Sequence, residues 1–318
     1  YLIISNHRSP LDILACVHSS AGRSPPPRVS TTSPSAPPRR SRSITWRGGS
    51  RQGGAAERVR FTGSTAVGWL LAIQAAPHLK RLSLELGGNA PFLVFEDADL
   101  DAAVESLVSN KFRAAGQTCV CANRVLVHAS VAEDFVPWLA ARVARLTVGE
   151  GTRAGVDLGP LIDGRAWDKV REHLAGGLGE ARVSPPAPFP RRVRPPRAAW
   201  FFAPIVLHGV PLGAKCMREE TFGPLIPVAT FETEEEAVAI GNGVAAGLVP
   251  YVFTEDPARG ERVVAALAFG HVGLNTATGP TPQAPFGGMG ASGYGREGGL
   301  EGLMEYIETQ TSPHAEPL

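Results

Sequence analysis

Cysteine is scarce: Cys16, Cys119, Cys121 and Cys216 are the only four among 318 residues. Their spacing forms no disulfide framework and, without a His cluster, no zinc site, so no metal is expected. A reducing compartment, the cytoplasm or the mitochondrial matrix, is the expectation. An excess of one charge is also lacking. Lys plus Arg at 31 against Asp plus Glu at 30 leaves +1, which excludes whole-molecule attraction to nucleic acid or to an acidic membrane surface. No uninterrupted apolar run reaches the roughly 18 residues of a membrane span. There is no basic-then-apolar leader and no initiating Met, so the chain reads as soluble and as incomplete at its N-terminus. What it does have is 43% hydrophobic residues, enough for a sizeable core.

The stretch Gly116-Gln117-Thr118-Cys119-Val120-Cys121-Ala122-Asn123 carries the first chemistry. A cysteine after a glycine at the start of a helical pattern would sit among unpaired backbone N–H groups at the positive end of a helix dipole, which favours the thiolate. The same pattern suits a buried structural Cys. Thirty-four positions earlier, Leu84-Glu85-Leu86-Gly87-Gly88-Asn89 sets a carboxylate in an apolar run before a glycine turn. Burial there would raise the carboxyl pKa toward that of a useful general base. Arg58-Val59-Arg60-Phe61 reads as a strand entering Thr62-Gly63-Ser64-Thr65, with Gly68 inside a helical pattern of Val67, Leu70, Leu71, Ile73 and Gln74. Strand, Gly-Ser turn and helix N-terminus suit a phosphate or the nicotinamide end of a dinucleotide. Without a Gly-x-Gly-x-x-Gly fingerprint, the same residues also make an ordinary turn and cap. Glu219-Glu220-Thr221-Phe222-Gly223-Pro224 and Pro285-Phe286-Gly287-Gly288 complete the set.

These five stretches, in this order, resemble the aldehyde dehydrogenase superfamily, and the two cysteines flanking one residue resemble its succinate-semialdehyde dehydrogenases. The resemblance runs from about Val59 to about Gln310. It implies an α/β fold with a remnant of a Rossmann-type cofactor domain over 58–86 and an α/β catalytic domain over 87–287. A C-terminal return over 288–318 is implied to use Leu303-Met304-Glu305-Tyr306-Ile307 as a strand in a neighbouring subunit's sheet, hence a homo-oligomer if the fold is complete. The implied chemistry is oxidation of a small aldehyde, succinate semialdehyde first, with NAD or NADP, using Cys119 as nucleophile and Glu85 as base. Gly63, Ser64, Gly68, Leu86, Glu220 and Phe222 are implied to line the cofactor site, with Glu220 on the nicotinamide ribose and Phe222 near that ring. Arg113, six residues before Cys119, is implied to meet the substrate carboxylate, although position alone makes it an ordinary cation at a helix end. Thr281 is implied to supply a hydroxyl in a substrate wall that Pro282 interrupts. Cys121 is implied to form a redox-sensitive disulfide with Cys119; packing alone makes it a spectator.

Some stretches depart from that pattern. The family's Pro-Trp-Asn motif, whose Asn donates to the oxyanion, has no counterpart upstream of Phe61, nor has the Lys used on the adenosine ribose. A catalytically incomplete chain is therefore the alternative reading. Residues 1–57, rich in Ser, Pro and Arg, read as disordered or foreign to the fold. Within them Asn6-His7-Arg8-Ser9-Pro10-Leu11-Asp12 resembles the first motif of glycerolipid acyltransferases, with His7 as base and Asp12 orienting it, a remote second activity. Residues 183–199, including Ser184-Pro185-Pro186-Ala187-Pro188, read as an exposed irregular loop because prolines forbid a central strand. Elsewhere the pattern predicts strands over 124–128, 225–231, 248–253 and 271–275. Helices are predicted over 131–146, 234–241 and 258–268.

Overall fold

The computed structural model describes residues 57–178, 181–183 and 200–313, together with the backbone of two short strands before them. The chain divides into two compact units, Tyr1–Leu84 and Glu85–Leu318.

In the first unit β1 (Leu2–Ser5) and β2 (Cys16–Val17) pair antiparallel. β3 (Arg58–Thr62) runs parallel to β1, with Leu2 opposite Val59 and Ser5 opposite Thr62. α1 (Thr65–Ala75) follows, and β4 (Arg81–Glu85) takes the other edge of β3. Leu2–Ser5, within the segment expected to be disordered or foreign to the fold, thus takes the edge of β3. His7 and Asp12 lie outside the described residues. Gly68, Leu71 and Ala75 of α1 are buried, whereas Trp69 is 61% and Ile73 70% exposed, so part of its apolar surface faces water.

The second unit begins with β5 (Ala90–Val94), α2 (Leu100–Lys111), β6 (Ala122–His128), α3 (Ala132–Val143) and α4 (Gly164–Gly177). It continues through β7 (Arg182–Val183), β8 (Ile205–His208), α5 (Lys215–Arg218), β9 (Leu225–Phe231) and α6 (Glu234–Asn242). After these come β10 (Ala246–Gly247), β11 (Tyr251–Phe253), α7 (Pro257–Ala266) and β12 (Gly273–Leu274). The last elements are β13 (Met289–Gly290), β14 (Gly293–Tyr294) and α8 (Gly299–Met304). Seven strands form one sheet in the order β12-β11-β5-β6-β9-β8-β7, parallel except for β7.

A parallel sheet covered on both faces needs strands that are apolar along their length. β5 meets that need at every residue, and Phe92, Leu126, Leu225 and Tyr251 continue the buried layer across β6, β9 and β11. Helices start where a side chain can accept from the first free N–H groups: Asp99 from Ala102, Asp163 from Ala166, Thr233 from Glu236 and Asp256 from Ala258. In α3, Phe135, Leu139 and Val143 face the core as their spacing predicts. The strand expected over 248–253 starts only at Tyr251, because Pro250 has no N–H to give to a ladder. Residues 184–199, where an irregular loop was expected, lie outside the described residues; just before them Val183 pairs with Leu207.

At the C-terminus lies the stretch expected as a strand in a neighbouring subunit's sheet. Residues 303–307 form no strand; α8 runs to Met304 and a turn follows. A strand needs an edge to satisfy its backbone, whereas a helical turn satisfies its own, as Glu305 N–H does by donating to Glu301 at 3.2 Å. Among the described residues no helix is long and apolar enough to cross a membrane.

Candidate active site

Three of the stretches singled out in the sequence meet at Gly88. A Cβ at this position would stand 2.4 Å from the carbonyl oxygen of Cys119, so only glycine lets the two backbones approach so closely. The Gly88 N–H donates to Glu220 Oε1 at 3.0 Å. Three residues back, Glu85 closes β4 and is 3% exposed. Its Oε1 and the Arg296 Nη1 each lie 2.9 Å from the point a Cβ on Gly287 would occupy, so the Phe286-Gly287-Gly288 stretch serves by leaving room. Leu86, expected beside a cofactor, is buried, and its N–H donates to the Ser292 carbonyl at 3.0 Å. The Ser292 hydroxyl donates to the Gly87 carbonyl at 2.7 Å, which ties this turn to the C-terminal loop.

Cys119 does not begin a helix. It lies in a turn between the short 3-10 segment Arg113–Gly116 and β6. Ala114, Ala115 and Gly116 have φ of 49°, 57° and 79°, a left-handed turn that costs about 1–2 kcal/mol for each non-glycine residue. The Cys119 thiol is pushed up to about 12, first by burial and then by the Glu220 and Glu85 carboxylates nearby. The expectation of a thiolate favoured by a helix N-terminus is corrected on both counts. Cys121 is buried; its thiol sits 2.7 Å from Thr118 Oγ1 and 3.1 Å from the Asn110 carbonyl oxygen, to which it donates.

Gly116 also packs against the Glu219-to-Pro224 turn: its Cβ would lie 2.3 Å from the Gly223 carbonyl oxygen. Gly116→Ala is therefore expected to lose about 3 kcal/mol or more of stability, the left-handed cost plus the clash, read as a drop in urea midpoint at unchanged m-value. An unshifted midpoint would contradict this packing.

Glu220 and Phe222 ride on a loop whose anchor the sequence reading missed. Asn123 in β6 accepts from Thr221 N–H at 3.0 Å and donates to Asn89 Oδ1 at 2.6 Å and to the Glu219 carbonyl at 3.2 Å. Arg124 beside it is 2% exposed and donates to the carbonyls of Asn89, Ile240 and Gly241 at 3.0, 2.8 and 2.8 Å. Two polar residues in succession inside a buried central strand were the available signal. Phe222 holds φ 57°, a strained value for a bulky residue, of the kind that clusters at functional sites. Below the loop, His173 is fully buried with Nδ1 3.0 Å from Thr221 Oγ1, and burial pushes its ring down to about 4. Lys111, at the end of α2, is pushed down to about 8 by burial, against the pull of Cys121, Glu220 and Cys216.

Arg113 is exposed, and its Nη1 lies 3.3 Å from a Cβ built on Gly279, two residues before Thr281, which is also exposed. Gly63, Ser64 and Gly68 belong to the first unit. Ser64 precedes α1 without a side-chain cap bond and no acidic residue occupies the first turn, so that helix N-terminus carries no built-in counter-charge. This suits an anionic group. Among the described residues no cluster of three or more His, Cys, Asp or Glu could hold a metal ion.

The model of the aldehyde dehydrogenase family matches residues 54–312. A glutarate-semialdehyde dehydrogenase of Pseudomonas aeruginosa is 46% identical over 251 residues, covering 79% of this chain and 51% of that protein. The NADP(+) succinate-semialdehyde dehydrogenase GabD of Escherichia coli is 47% identical over 252 residues, covering 79% and 51%. Among solved structures, a succinate-semialdehyde dehydrogenase from Burkholderia pseudomallei superposes with a TM-score of 0.76 at 47% identity, over 79% of this chain and 52% of that one. The chain spans about half the length of the curated relatives it matches.

Proposed function

Because this chain belongs to the aldehyde dehydrogenase family, we propose that it takes part in the oxidation of a short semialdehyde bearing a distal carboxylate to the corresponding diacid, by way of a thioester on Cys119. The observation that carries the reading is the junction at Gly88, where the Cys119 backbone, the Glu220 carboxylate and the turn after Glu85 converge. Cys119 Sγ attacks the aldehyde carbon and its proton leaves to a nearby base. The Cys119 backbone N–H is one donor for the developing oxyanion. A bound NAD or NADP supplies the hydride acceptor. By the family resemblance Gly63, Ser64, Gly68, Leu86, Glu220 and Phe222 are the residues that would hold it; the uncompensated N-terminus of α1 suits its anionic groups. Glu85 then takes a proton from water, whose oxygen attacks the thioester carbon and releases the acid and the Cys119 thiol. Arg113 and Thr281 receive the distal carboxylate, for which a planar guanidinium is the natural partner.

The test is the formation of reduced nicotinamide by the purified chain with succinate or glutarate semialdehyde and either NAD or NADP. Turnover with a carboxylate-bearing aldehyde, and much less with an uncharged one of equal length, is expected. A folded chain that turns over neither semialdehyde with either cofactor overturns the reading.

Cys121 adds a redox expectation. Peroxide oxidises one thiol to a sulfenic acid with loss of water, and condensation with the second thiol forms the Cys119–Cys121 disulfide with loss of another. Inactivation that dithiothreitol reverses is expected in the natural chain and not in Cys121→Ala. Equal recovery in both, with no disulfide in the peptide masses, would sink the switch.

A further inference from the structure

Asn110, in the last turn of α2, is 8% exposed, and its side-chain amide and its carbonyl face the Cys119 turn, Tyr251 and the loop at Ala277. Its Oδ1 accepts from Ala122 N–H at 2.7 Å. Its Nδ2 lies 3.0 Å from the Tyr251 hydroxyl, 3.0 Å from the Ala277 carbonyl oxygen and 3.3 Å from that of Val120. Its own carbonyl accepts from the Cys121 thiol at 3.1 Å. Tyr251, buried in β11, donates its hydroxyl to the Val120 carbonyl at 2.6 Å, and burial holds the phenol well above its ordinary pKa, so it stays a donor. Asn is a poor helix former and an apolar side chain would fill the same space without desolvating an amide, so the residue needs a reason beyond packing.

The two ends of this arrangement are the turn that carries Cys119 and the loop that runs from Ala277 to Thr281. We propose that Asn110 and Tyr251 are positioning residues: both clamp Val120, one residue after the nucleophile, and Asn110 alone spans from that turn to the substrate wall. Asn110 thereby sets the width of the gap open to the substrate's tail. The inference rests on Cys119 being the nucleophile.

Cys119 is only partly exposed, so reagents gain full access to its thiol through transient local opening, and their rate rises with the open population. Tyr251→Phe removes the bond donated to Val120 and the one accepted from Asn110, whose Nδ2 keeps Ala277 and Val120, and it keeps the ring beside Phe92, whose centroid is 6.0 Å away. In the full chain at pH 8, iodoacetamide should then label Cys119 about three to ten times faster, the population shift brought by losing the turn's bond to Tyr251. Cys216, fully buried elsewhere, should stay protected, as read from peptide masses. Amide hydrogen exchange should quicken over 117–122 and not over 276–281. Asn110→Asp keeps the acceptor for Ala122 and loses the donors, so exchange should quicken at both places. An unchanged Cys119 rate in Tyr251→Phe overturns the proposal, as does a joint rise at Cys119 and Cys216, which general loosening would give. Faster exchange at only one end in Asn110→Asp overturns the bridging role; if that variant does not fold, the Tyr251→Phe outcomes decide. Failure of the nucleophile reading is distinguishable, since it shows as full turnover in Cys119→Ser.

Discussion

Cys119→Ser is expected to reduce aldehyde-dependent formation of reduced nicotinamide by roughly 10^3 or more, the scale on which a covalent enzyme loses rate with its nucleophile. A hydroxyl at that position has the same reach and a far less acidic proton, so the turn should stay intact while the chemistry stops. The free thiol is itself held back: with its pKa pushed up to about 12, only about one chain in ten thousand or fewer carries the thiolate at pH 7.5. Alkylation of Cys119 should consequently rise about tenfold per pH unit between pH 7 and 11 rather than level off near 8.5. The same shift has a stability consequence. The folded chain holds this proton more tightly than the unfolded chain, so the contribution is present below the unfolded value of about 9 and is lost as pH rises from there toward 12. A plateau in the alkylation profile near pH 8 would contradict the burial and the carboxylate neighbours assigned to Cys119.

Glu85→Gln is expected to stop the cycle one step later. With the base gone, attack of water on the thioester should slow by about 10^2 to 10^4, so reduced nicotinamide appears in a burst of about one equivalent per chain and then stalls. The acyl group should be visible as added mass on the Cys119 peptide. A second readout separates this role from a structural one. Glu85 is one of the carboxylates that hold the Cys119 pKa up, so its neutral isostere should make Cys119 more acidic and speed its alkylation at pH 8. Undiminished steady turnover in the variant would remove Glu85 from the mechanism.

Much of this site could be read along the chain because its parts are local. Glycines that permit close approach, a carboxylate in an apolar run, the paired cysteines around Val120 and the Glu219-to-Pro224 turn each show within a few residues. Helix α2 announces itself through the Asp99 cap and α3 through a periodic apolar face. The environment of Cys119 did not. Glycine followed by cysteine looks the same whether the next turn is a helix start or a left-handed turn leading into β6, and the difference rests on Gly116 meeting the Gly223 carbonyl, more than a hundred positions away.

Asn110 and Asn123 escaped notice for a related reason. A polar residue inside a helix or strand is informative only once its partners are known, and theirs, Tyr251, Ala277, Asn89 and Thr221, come from separate elements. The end of the chain went the other way: an apolar run that resembles a strand became the end of α8, since pairing requires an edge that lies beside it in space. Short-range pattern thus sufficed for the family, most of the elements and the candidates for the reacting groups, all of which depend on neighbours in sequence. The protonation state of Cys119 and the residues around its turn came from the folded chain, because desolvation, charge proximity and hydrogen-bond geometry depend on distance in space.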